Sequence, residues 1–461
     1  MNTRPRKLGL DFFRGIALLI IFVNHIPRND LARFTPSRFG PSDAAEIFVF
    51  LSGLVAALAY GETFRRAGLA LGSVRVLTRC GQVYAAHIGS FLLLAAICTI
   101  GTSVLGYPDY AERLNIRFFF DETEVALLHL LTLRYVPNYF DILPMYLVVM
   151  LWIPLFWALS RVHVLVPAAL SLGLYAASWW LDIGLSADRG GRPWFFNPFA
   201  WQLLFFAGFG FGAGWYRPLR FGSGRLLLAA LIIVVLVPLG PDPTLRPSGS
   251  LSLVHAALQP VLEKTRCGPL RLLHFFALAY LASAVLRARS DWFDTVFARP
   301  IVLMGQHSLE IFVLTMGLSF TGGIALDALG RSTANTLLIN ASGFALLISA
   351  TKLLAWFRSR PWTQTTIGFE PAVAEVSRLR LRGIARLQRI ALGAMLASLA
   401  VVPMALGARM NGARTFSVET SNLARPSDDD LLANNPLWSR LSDAAGSPPI
   451  DAAVMELQQQ R

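Results

Sequence analysis

Three polar side chains interrupt an apolar run near the start of the chain. Asp11, Arg14 and His25 lie in the stretch Gly9–Arg28, whose length suits a membrane-spanning helix. Arg14 and His25 are eleven residues apart, about 1100° at ~100° per residue, and Asp11 falls within about 60° of the same line. Ionisable groups at membrane depth usually face a bundle interior or a wet cavity. The stripe therefore predicts a functional face, although an Arg14 that extends to the surface and a His25 that only ends the helix would also explain it.

Two carboxylates follow at the membrane face that we predict for His25. Asp43 and Glu46 are one helical turn apart at the start of the next apolar run. A carboxylate on one imidazole nitrogen raises the basicity of the other nitrogen, which can then take a proton from a hydroxyl. The pattern predicts a general base with an orienting acid, and an ion-paired helix junction is the alternative. We expect no metal, because no further histidine lies nearby in the sequence.

Two arginines one helical turn apart, Arg75 and Arg79, are predicted at the opposite membrane face. Guanidinium pairs suit phosphate, and with Arg14 on the same side they could hold a polyphosphate. Ordinary inner-loop charge would explain the pair equally well. Arg14 and His25 are about 16 Å apart along a helix, so a long donor arm in one shared passage would connect the two ends.

The composition is that of a polytopic membrane protein. Of the 461 residues, 54% are hydrophobic and 15% are charged, where about a quarter is usual for soluble proteins. The net charge of +13 comes from arginines between apolar runs, as topology signals do, so no nucleic-acid partner is expected. The three cysteines are too few and too scattered for a disulfide framework.

Eleven apolar runs are long enough to span a bilayer, among them Ala44–Tyr60, Val83–Leu105 and Ile301–Phe320. With the N-terminus in the cytoplasm, the arginines follow the positive-inside rule. One short outer loop breaks the rule; it is either a tolerated violation or a basic rim for an anionic partner, and its cations are Arg28, Arg33 and Arg38. The acidic segment Phe118–Arg134 is predicted to be a re-entrant or interfacial helix.

The chain is predicted to divide at about residue 360. Residues 1–360 would form the transmembrane domain, and 361–389 a basic amphipathic segment at the cytoplasmic surface. Residues 390–406 would form an additional transmembrane helix, and 407–461 a disordered periplasmic tail.

Three further groups are candidate contacts for ligands. Asn138, Tyr139 and Asp141 precede an apolar run, where they would bind acceptor hydroxyls or cap the helix. An aromatic group would stack on sugar rings or form an interfacial belt; it consists of Trp194, Phe195, Phe196, Asn197 and Trp201, of which Trp194, Asn197 and Trp201 are the candidate sugar contacts. Gln306 and His307 lie at a predicted helix end that would line a donor site or cap the helix.

In their order and spacing, these residues resemble the integral-membrane acyltransferase-3 superfamily. The resemblance is carried by Arg14-Gly15, His25, Glu46-Ile47-Phe48-Val49-Phe50-Leu51-Ser52-Gly53, Arg75 and Arg79. Four motifs look like the OpgC branch: Asp11-Phe12-Phe13-Arg14-Gly15, Asn24-His25, Ser42-Asp43-Ala44-Ala45-Glu46 and Asn138-Tyr139-Phe140-Asp141-Ile142-Leu143-Pro144-Met145-Tyr146. The likeness covers the first ten apolar runs, and the eleventh run departs from the plain ten-helix plan.

The resemblance implies a ten-helix bundle of a bacterial inner membrane. Such a bundle would take a succinyl group from cytoplasmic succinyl-CoA and place it on hydroxyls of an osmoregulated periplasmic glucan. His25 would match the catalytic histidine, as general base or as acyl acceptor, with Glu46 and Asp43 as the acidic partners. Residues near the CoA moiety would be Arg14, Arg75, Arg79, Asp11, Gln306 and His307.

Other functions are compatible with the same residues. A transporter or flippase would use His25, Asp43 and Glu46 as a proton relay and Arg14 as an anion site. An O-acetyltransferase of another polysaccharide would use the same machinery with a different donor and acceptor. The expected partners are the donor, the acceptor and the lipid bilayer, with a homo-oligomer also open.

Overall fold

The chain folds into apolar helices. The computed structural model describes residues 8–105, 110–188, 190–216, 223–237, 258–288, 293 and 295–360. Within these residues the helices are α1 (Leu8–His25), α2 (Pro36–Phe39), α3 (Ala44–Leu105), α4 (Tyr110–Arg113), α5 (Arg117–Asp121), α6 (Thr123–Leu131), α7 (Ile142–Leu151), α8 (Ile153–Leu159), α9 (Leu165–Trp180), α10 (Pro198–Ala213), α11 (Gly224–Leu236), α12 (Pro269–Ala288), α13 (Ala298–Gln306), α14 (Ser308–Leu329) and α15 (Thr333–Arg358). A 3-10 helix covers Asp30–Phe34.

Five of the described helices are long and apolar enough to cross a membrane: α1, α3, the joined α7 and α8, α14 and α15. Four shorter apolar helices, α9 to α12, accompany them. The prediction of a mostly helical chain is therefore confirmed, and its long apolar helices are compatible with the predicted multi-pass membrane protein. The ten-helix count stays a prediction, and the segments predicted at 361–389, 390–406 and 407–461 lie outside the described residues.

Helix α3 joins two apolar runs that the sequence separates. It covers 62 residues and leaves helical geometry only at Gly68, whose φ is 79°. A glycine adopts this left-handed conformation without the steric penalty of a Cβ atom. Gly68 therefore marks a kink within α3, and on its N-terminal side Glu62 binds both Arg65 and Arg66 within one turn.

Two other predicted segments are broken where hydropathy suggests continuity. The run Ile301–Phe320 is interrupted at His307, which ends α13 and whose N–H donates to the carbonyls of Leu303 and Met304. The predicted segment Phe118–Arg134 contains two short helices, α5 and α6, which meet at Glu122. Neither of these two helices is long enough to cross a bilayer.

Direct contact between backbones joins α3 and α10. A Cβ atom at Gly53 would overlap the carbonyl of Phe205, and a Cβ atom at Gly208 would overlap the carbonyl of Phe50. Small residues are the usual means by which membrane helices approach closely. Helix α1 is held against α13 in the same way, because Gly15 faces Ile301 and Gly305 faces the backbone of Asp11.

Gly53→Ala should destabilise the protein by about 1–3 kcal/mol, because the added methyl forces α10 away from α3. The melting temperature in detergent measures the effect. Gly89→Ala, in the same helix, is the matched control because no atom lies within 4 Å of a Cβ at that position. The melting temperature of this control should rise slightly, because alanine exceeds glycine in helix propensity by about 1 kcal/mol. Equal melting temperatures for the two variants would contradict the close contact.

Candidate functional site

Five residues predicted to act in catalysis or to bind acceptor hydroxyls line one cavity of about 550 Å³, which we call the His25 cavity. They are His25, Asp43, Asn138, Tyr139 and Asp141. They come from the end of α1, the residue before α3 and the segment before α7. The volume falls within the usual range for small-ligand sites, about 300–1,000 Å³.

His25 is the last residue of α1, and a backbone group fixes its imidazole. Its Nδ1 lies 2.7 Å from the carbonyl oxygen of Ile21. Because a carbonyl can only accept, Nδ1 is the donor, and the neutral ring then carries its lone pair on Nε2. The ring of Tyr139 packs edge-on against the imidazole, with 5.1 Å between ring centroids. His25 is therefore held in one orientation with one basic nitrogen.

Asp43 and Glu46 form a capping box at the start of α3. The Asp43 side chain accepts from the N–H of Ala45 at 2.8 Å, and Glu46 Oε2 accepts from the N–H of Asp43 at 2.8 Å. This reciprocal pattern satisfies backbone donors that a helix start leaves unpaired. Each carboxylate uses its other oxygen for a cation: Lys264 Nζ lies 2.5 Å from Asp43 Oδ2, and Arg271 binds Glu46 Oε1 through two nitrogens at 2.6 and 2.9 Å.

These contacts revise the expected pairing of His25 with an acid. The Ile21 carbonyl, and not a carboxylate, holds Nδ1, because it lies one helical turn before the imidazole. Glu46 is fully buried and bound to Arg271. Asp43 shares the His25 cavity, and its negative charge and the positive charge of Lys264 both act on the imidazole. Whether either acid takes part in catalysis stays a prediction.

Two neighbouring cations keep the carboxyl group of Asp43 ionised. Burial alone would raise the pKa of this carboxyl, but the positive charge and hydrogen bond of Lys264 outweigh burial and hold the pKa below its ordinary value. Arg271 adds to this effect. Asp43 is thus an anion at neutral pH.

The segment before α7 forms another wall of the cavity. Tyr139 has a φ of 71°, a left-handed conformation that bulky residues rarely adopt. Asp141 accepts from the N–H of Phe195 at 3.2 Å and makes no side-chain cap to α7. Asp141 therefore occupies the N-cap position of α7 through its backbone carbonyl, which accepts from the N–H of Met145, while its side chain is used elsewhere. Burial raises the pKa of Asp141 to about 6, although the Phe195 hydrogen bond and Arg192 oppose the shift.

The members of the predicted aromatic group lie in two different places, some in the cavity lining and the others outside it. Phe195 and Phe196 line the His25 cavity. The other members lie behind the cavity wall, with their polar atoms bound to backbone carbonyls: Trp194 Nε1 to Ser186, Asn197 Nδ2 to Ile183, and Trp201 Nε1 to Lys264 and Thr265. The predicted sugar contact of these three side chains is not compatible with that placement, because their packing and hydrogen bonds are already used within the fold.

Cations exceed anions in the lining of the cavity. Arg113 and Arg192 pair with Asp327 and Asp188, respectively. Arg38 lines the cavity and has no ion-pair partner among the described residues. In the rest of the predicted basic rim, Arg33 pairs with Asp30, whereas Arg28 shares Asp327 with Arg113 and Arg331, so one carboxylate serves three guanidinium groups there.

At the other end of α1, Arg14 donates to the hydroxyl of Ser308, at the break between α13 and α14. His307 is buried at the same break, next to Gln306, which ends α13. The charges of Arg14 and Arg79 both reach the hydroxyl of Tyr146. The sequence prediction that Arg14 and Arg79 lie near each other is consistent with this arrangement.

The third arginine of the predicted donor site lies beside the same group. The guanidinium of Arg75 lies 5.8 Å from the ring centre of Tyr60 and donates to Thr63. The Tyr60 hydroxyl is within electrostatic reach of Arg75, Arg79 and Tyr146. These residues form what we call the arginine cluster, defined by Arg14, Arg75 and Arg79.

The His25 cavity does not extend to the arginine cluster. Its lining reaches Ile21 on α1 and Phe312 on α14, and Arg14 is not among the lining residues. Ile21 and Arg14 are seven residues apart, which is about 10 Å along the helix. The cavity described here therefore does not form the shared passage expected from the sequence, and that passage stays a prediction.

Residues 6–359 match the family described as OpgC protein. The chain belongs to the OpgC protein family. Membership in the OpgC family indicates an acyltransferase that modifies osmoregulated periplasmic glucans. No curated protein and no solved structure matches this chain. The OpgC resemblance noted in the sequence is thus confirmed over most of the helical part.

Sequence reasoning missed Lys264 and Arg271 in this OpgC chain. The Asp-x-x-Glu spacing of the capping box is a local signal that places both carboxylates at a helix start. The composition offered a second signal, because Lys264 is one of only three lysines among 41 basic residues. Its contact with Asp43 joins residues 221 positions apart, which no local pattern reports.

Asp141→Asn should make the stability of the protein less dependent on pH. A folded-state pKa of about 6, above the ordinary 3.8, means that Asp141 favours folding below about pH 4 and loses this contribution as pH rises to 6. The substituted amide would keep an acceptor for the N–H of Phe195 but would not ionise. The free energy of unfolding of the variant minus that of the wild type should therefore rise by about 2–3 kcal/mol between pH 4 and pH 7. A difference that stays constant with pH would contradict the raised pKa.

Proposed function

We propose that this OpgC-family protein transfers a succinyl group from cytoplasmic succinyl-CoA to hydroxyls of a periplasmic glucan, across a bacterial inner membrane. The observation that carries the proposal is the orientation of the His25 imidazole in its cavity. Its Nδ1 is engaged by Ile21 and its Nε2 is the basic nitrogen, in a cavity of a size suited to sugar residues. Family membership supports the acyltransferase and its glucan, and the choice of donor and the role of His25 are our inference.

In the proposed reaction, His25 Nε2 takes the proton of an acceptor hydroxyl. The hydroxyl oxygen attacks the thioester carbonyl, an ester forms, and the departing CoA thiolate receives the proton from the imidazolium. At that imidazolium, the negative charge of Asp43 opposes the repulsion from Lys264. A second route through an acyl-His25 intermediate uses the same geometry, with Nε2 as the nucleophile.

The cavity walls supply groups suited to a glucan. Asn138 and Asp141 offer an amide and a carboxyl group to sugar hydroxyls, while Tyr139, Phe195 and Phe196 offer aromatic faces and edges. Carbohydrate recognition needs this combination, since a sugar ring presents both hydroxyls and an apolar face. The acceptor is held next to His25 by these contacts in the proposal.

The arginine cluster holds the CoA phosphates in this proposal. Guanidinium groups bind phosphate oxygens in a bidentate manner. The charges of Arg75 and Arg79 act on the hydroxyl of Tyr60, and those of Arg14 and Arg79 on the hydroxyl of Tyr146. Asp11, Gln306 and His307 lie beside Arg14 at the helix break. The pantetheine arm would extend about 10 Å further, between α1 and α14, to bring the thioester to the His25 cavity.

His25→Ala should abolish transfer of label from radioactive succinyl-CoA to de-esterified glucan by the purified protein in detergent, because no other basic nitrogen replaces Nε2. The matched control is His163→Ala, at an exposed histidine between α8 and α9 that does not line the cavity. It should retain wild-type activity. Wild-type protein that transfers no label in detergent would favour a carrier, and an active His25→Ala variant would reject the site.

Arg79→Met should raise the KM for succinyl-CoA by about tenfold or more, the effect of losing a charge-assisted hydrogen bond of about 1.5–3 kcal/mol. The KM for glucan should not change. Succinyl-pantetheine, which lacks the nucleotide phosphates, should be used equally well by the variant and the wild type.

Arg66→Met provides the control for Arg79→Met. Arg66 is an exposed residue of the same helix and pairs with Glu62, so its loss should leave both KM values unchanged. The proposal for the donor end fails if Arg79→Met impairs the use of succinyl-pantetheine as strongly as that of succinyl-CoA.

A further inference from the structure

Lys264 differs from nearly all other cations of the chain in its chemistry. The chain has three lysines among its 41 basic residues, and Lys264 is the lysine that lines the His25 cavity. A lysine presents a compact ammonium with three rotatable donors, whereas the planar guanidinium of arginine suits two-point recognition of carboxylate or phosphate. In a chain whose cations are mostly arginines, position 264 thus carries a compact ammonium group as its hydrogen-bond donor.

The backbone of Lys264 is fixed from behind the cavity. Trp201 Nε1 donates to the carbonyl of Lys264 at 3.0 Å and to that of Thr265 at 3.2 Å. The N–H of Asn197 donates to the Thr265 carbonyl at 3.1 Å. The buried Trp201 side chain, which was expected to bind sugar, and the backbone of Asn197 therefore hold the lysine in place.

The ammonium group of Lys264 is held in place and still has unused hydrogen-bond donors. Its Nζ donates to Asp43 Oδ2 at 2.5 Å and lies 5.8 Å from the ring centres of both Phe195 and Phe196. Of its three N–H groups, one is used by Asp43, and no second hydrogen bond to the described residues is present. Two donors are thus available to a molecule in the cavity.

Acyl transfer needs donors of this kind. When a hydroxyl attacks a thioester, the carbonyl π electrons move to oxygen, and a preorganised donor at that oxygen stabilises the developing charge. The backbone N–H of Asp43 is already used by Glu46 and that of Ala45 by Asp43. Lys264 shares the cavity with His25 and retains unused donors.

We propose that Lys264 is a catalytic residue that donates hydrogen bonds to the thioester carbonyl oxygen as it becomes an oxyanion. The inference rests on the proposed acyl transfer. His25 accepts the hydroxyl proton, the C–O bond forms, and Lys264 binds the oxyanion without giving up a proton. The carbonyl then re-forms as the C–S bond breaks, and the CoA thiolate takes the proton held by His25.

Lys264→Gln should lower kcat by about 100-fold, the cost of losing one oxyanion donor. The KM values for succinyl-CoA and glucan should not change, because the contact strengthens only in the transition state. The assay is release of CoA thiol by the purified full-length protein in detergent. Lys352→Gln, on the exposed side of α15, is the control and should retain wild-type kinetics. A variant that changes only a KM would show binding and would overturn the proposal.

A second pair of variants separates catalysis from support of Asp43. Asp43→Asn keeps Lys264, and Asp43→Asn with Lys264→Gln leaves a neutral amide pair with no unpaired buried charge. If Lys264 acts on the carbonyl, the double variant should have a kcat about 100-fold below that of Asp43→Asn. Equal kcat values would mean that Lys264 only holds Asp43, and the proposal would be wrong.

The same data distinguish the two proposals. If the wild type releases no CoA thiol in the presence of glucan, the acyltransferase proposal fails together with this one. If the wild type is active and Lys264→Gln has the same kcat, only the role of Lys264 is rejected.

Discussion

The buried ion pair of Glu46 and Arg271 determines the arrangement of the His25 cavity. Glu46 is fully buried, and a carboxylate in such an environment is tolerated only when a cation and further hydrogen bonds compensate for the lost water. Arg271 supplies two hydrogen bonds to one oxygen, and the N–H of Asp43 supplies the third bond to the other. This single pair therefore joins α12 to the first turn of α3.

Fixing that turn also fixes the groups next to His25. Asp43 is held through its backbone by Glu46, and its side chain in turn binds Lys264. Asp43 and Glu46, one helical turn apart, thus pair with Lys264 and Arg271, which are seven residues apart. The segment that leads into α12 is therefore held in a position where both ion pairs form. Removing one member would leave a buried charge without its partner, which costs about 3–5 kcal/mol.

The parts of the site that could be predicted depend on local periodicity. The helical repeat alone places Arg14 and His25 on one face of α1, and the one-turn spacing places Asp43 beside Glu46. Lys264 and Arg271 could not be predicted in this way, because their contacts depend on how α3, α10 and α12 pack. The tryptophans were misassigned because an aromatic cluster has the same composition whether it contacts sugar or supports a loop.

Breaks in helices show a similar limit. Hydropathy averaged over a window treats Ile301–Phe320 as continuous, since apolar residues outnumber the polar ones on both sides of Gln306 and His307. The structure ends α13 there and begins α14 with Ser308, which binds Arg14. The break in the run thus coincides with the contact between Ser308 and Arg14 of α1, which are 294 residues apart in the sequence. Hydropathy averaged over a short window cannot detect such a contact.

The inner limit of the His25 cavity has a consequence for the energy balance of a cell. A water-filled channel containing histidine and carboxylates would conduct protons and discharge the membrane potential. Between Arg14 and Ile21, the residues of α1 are Gly15, Ile16, Ala17, Leu18, Leu19 and Ile20, all without ionisable groups. Because the cavity ends at Ile21 and Phe312, this stretch of α1 offers no group that relays protons, also when the proposed pantetheine arm lies along it.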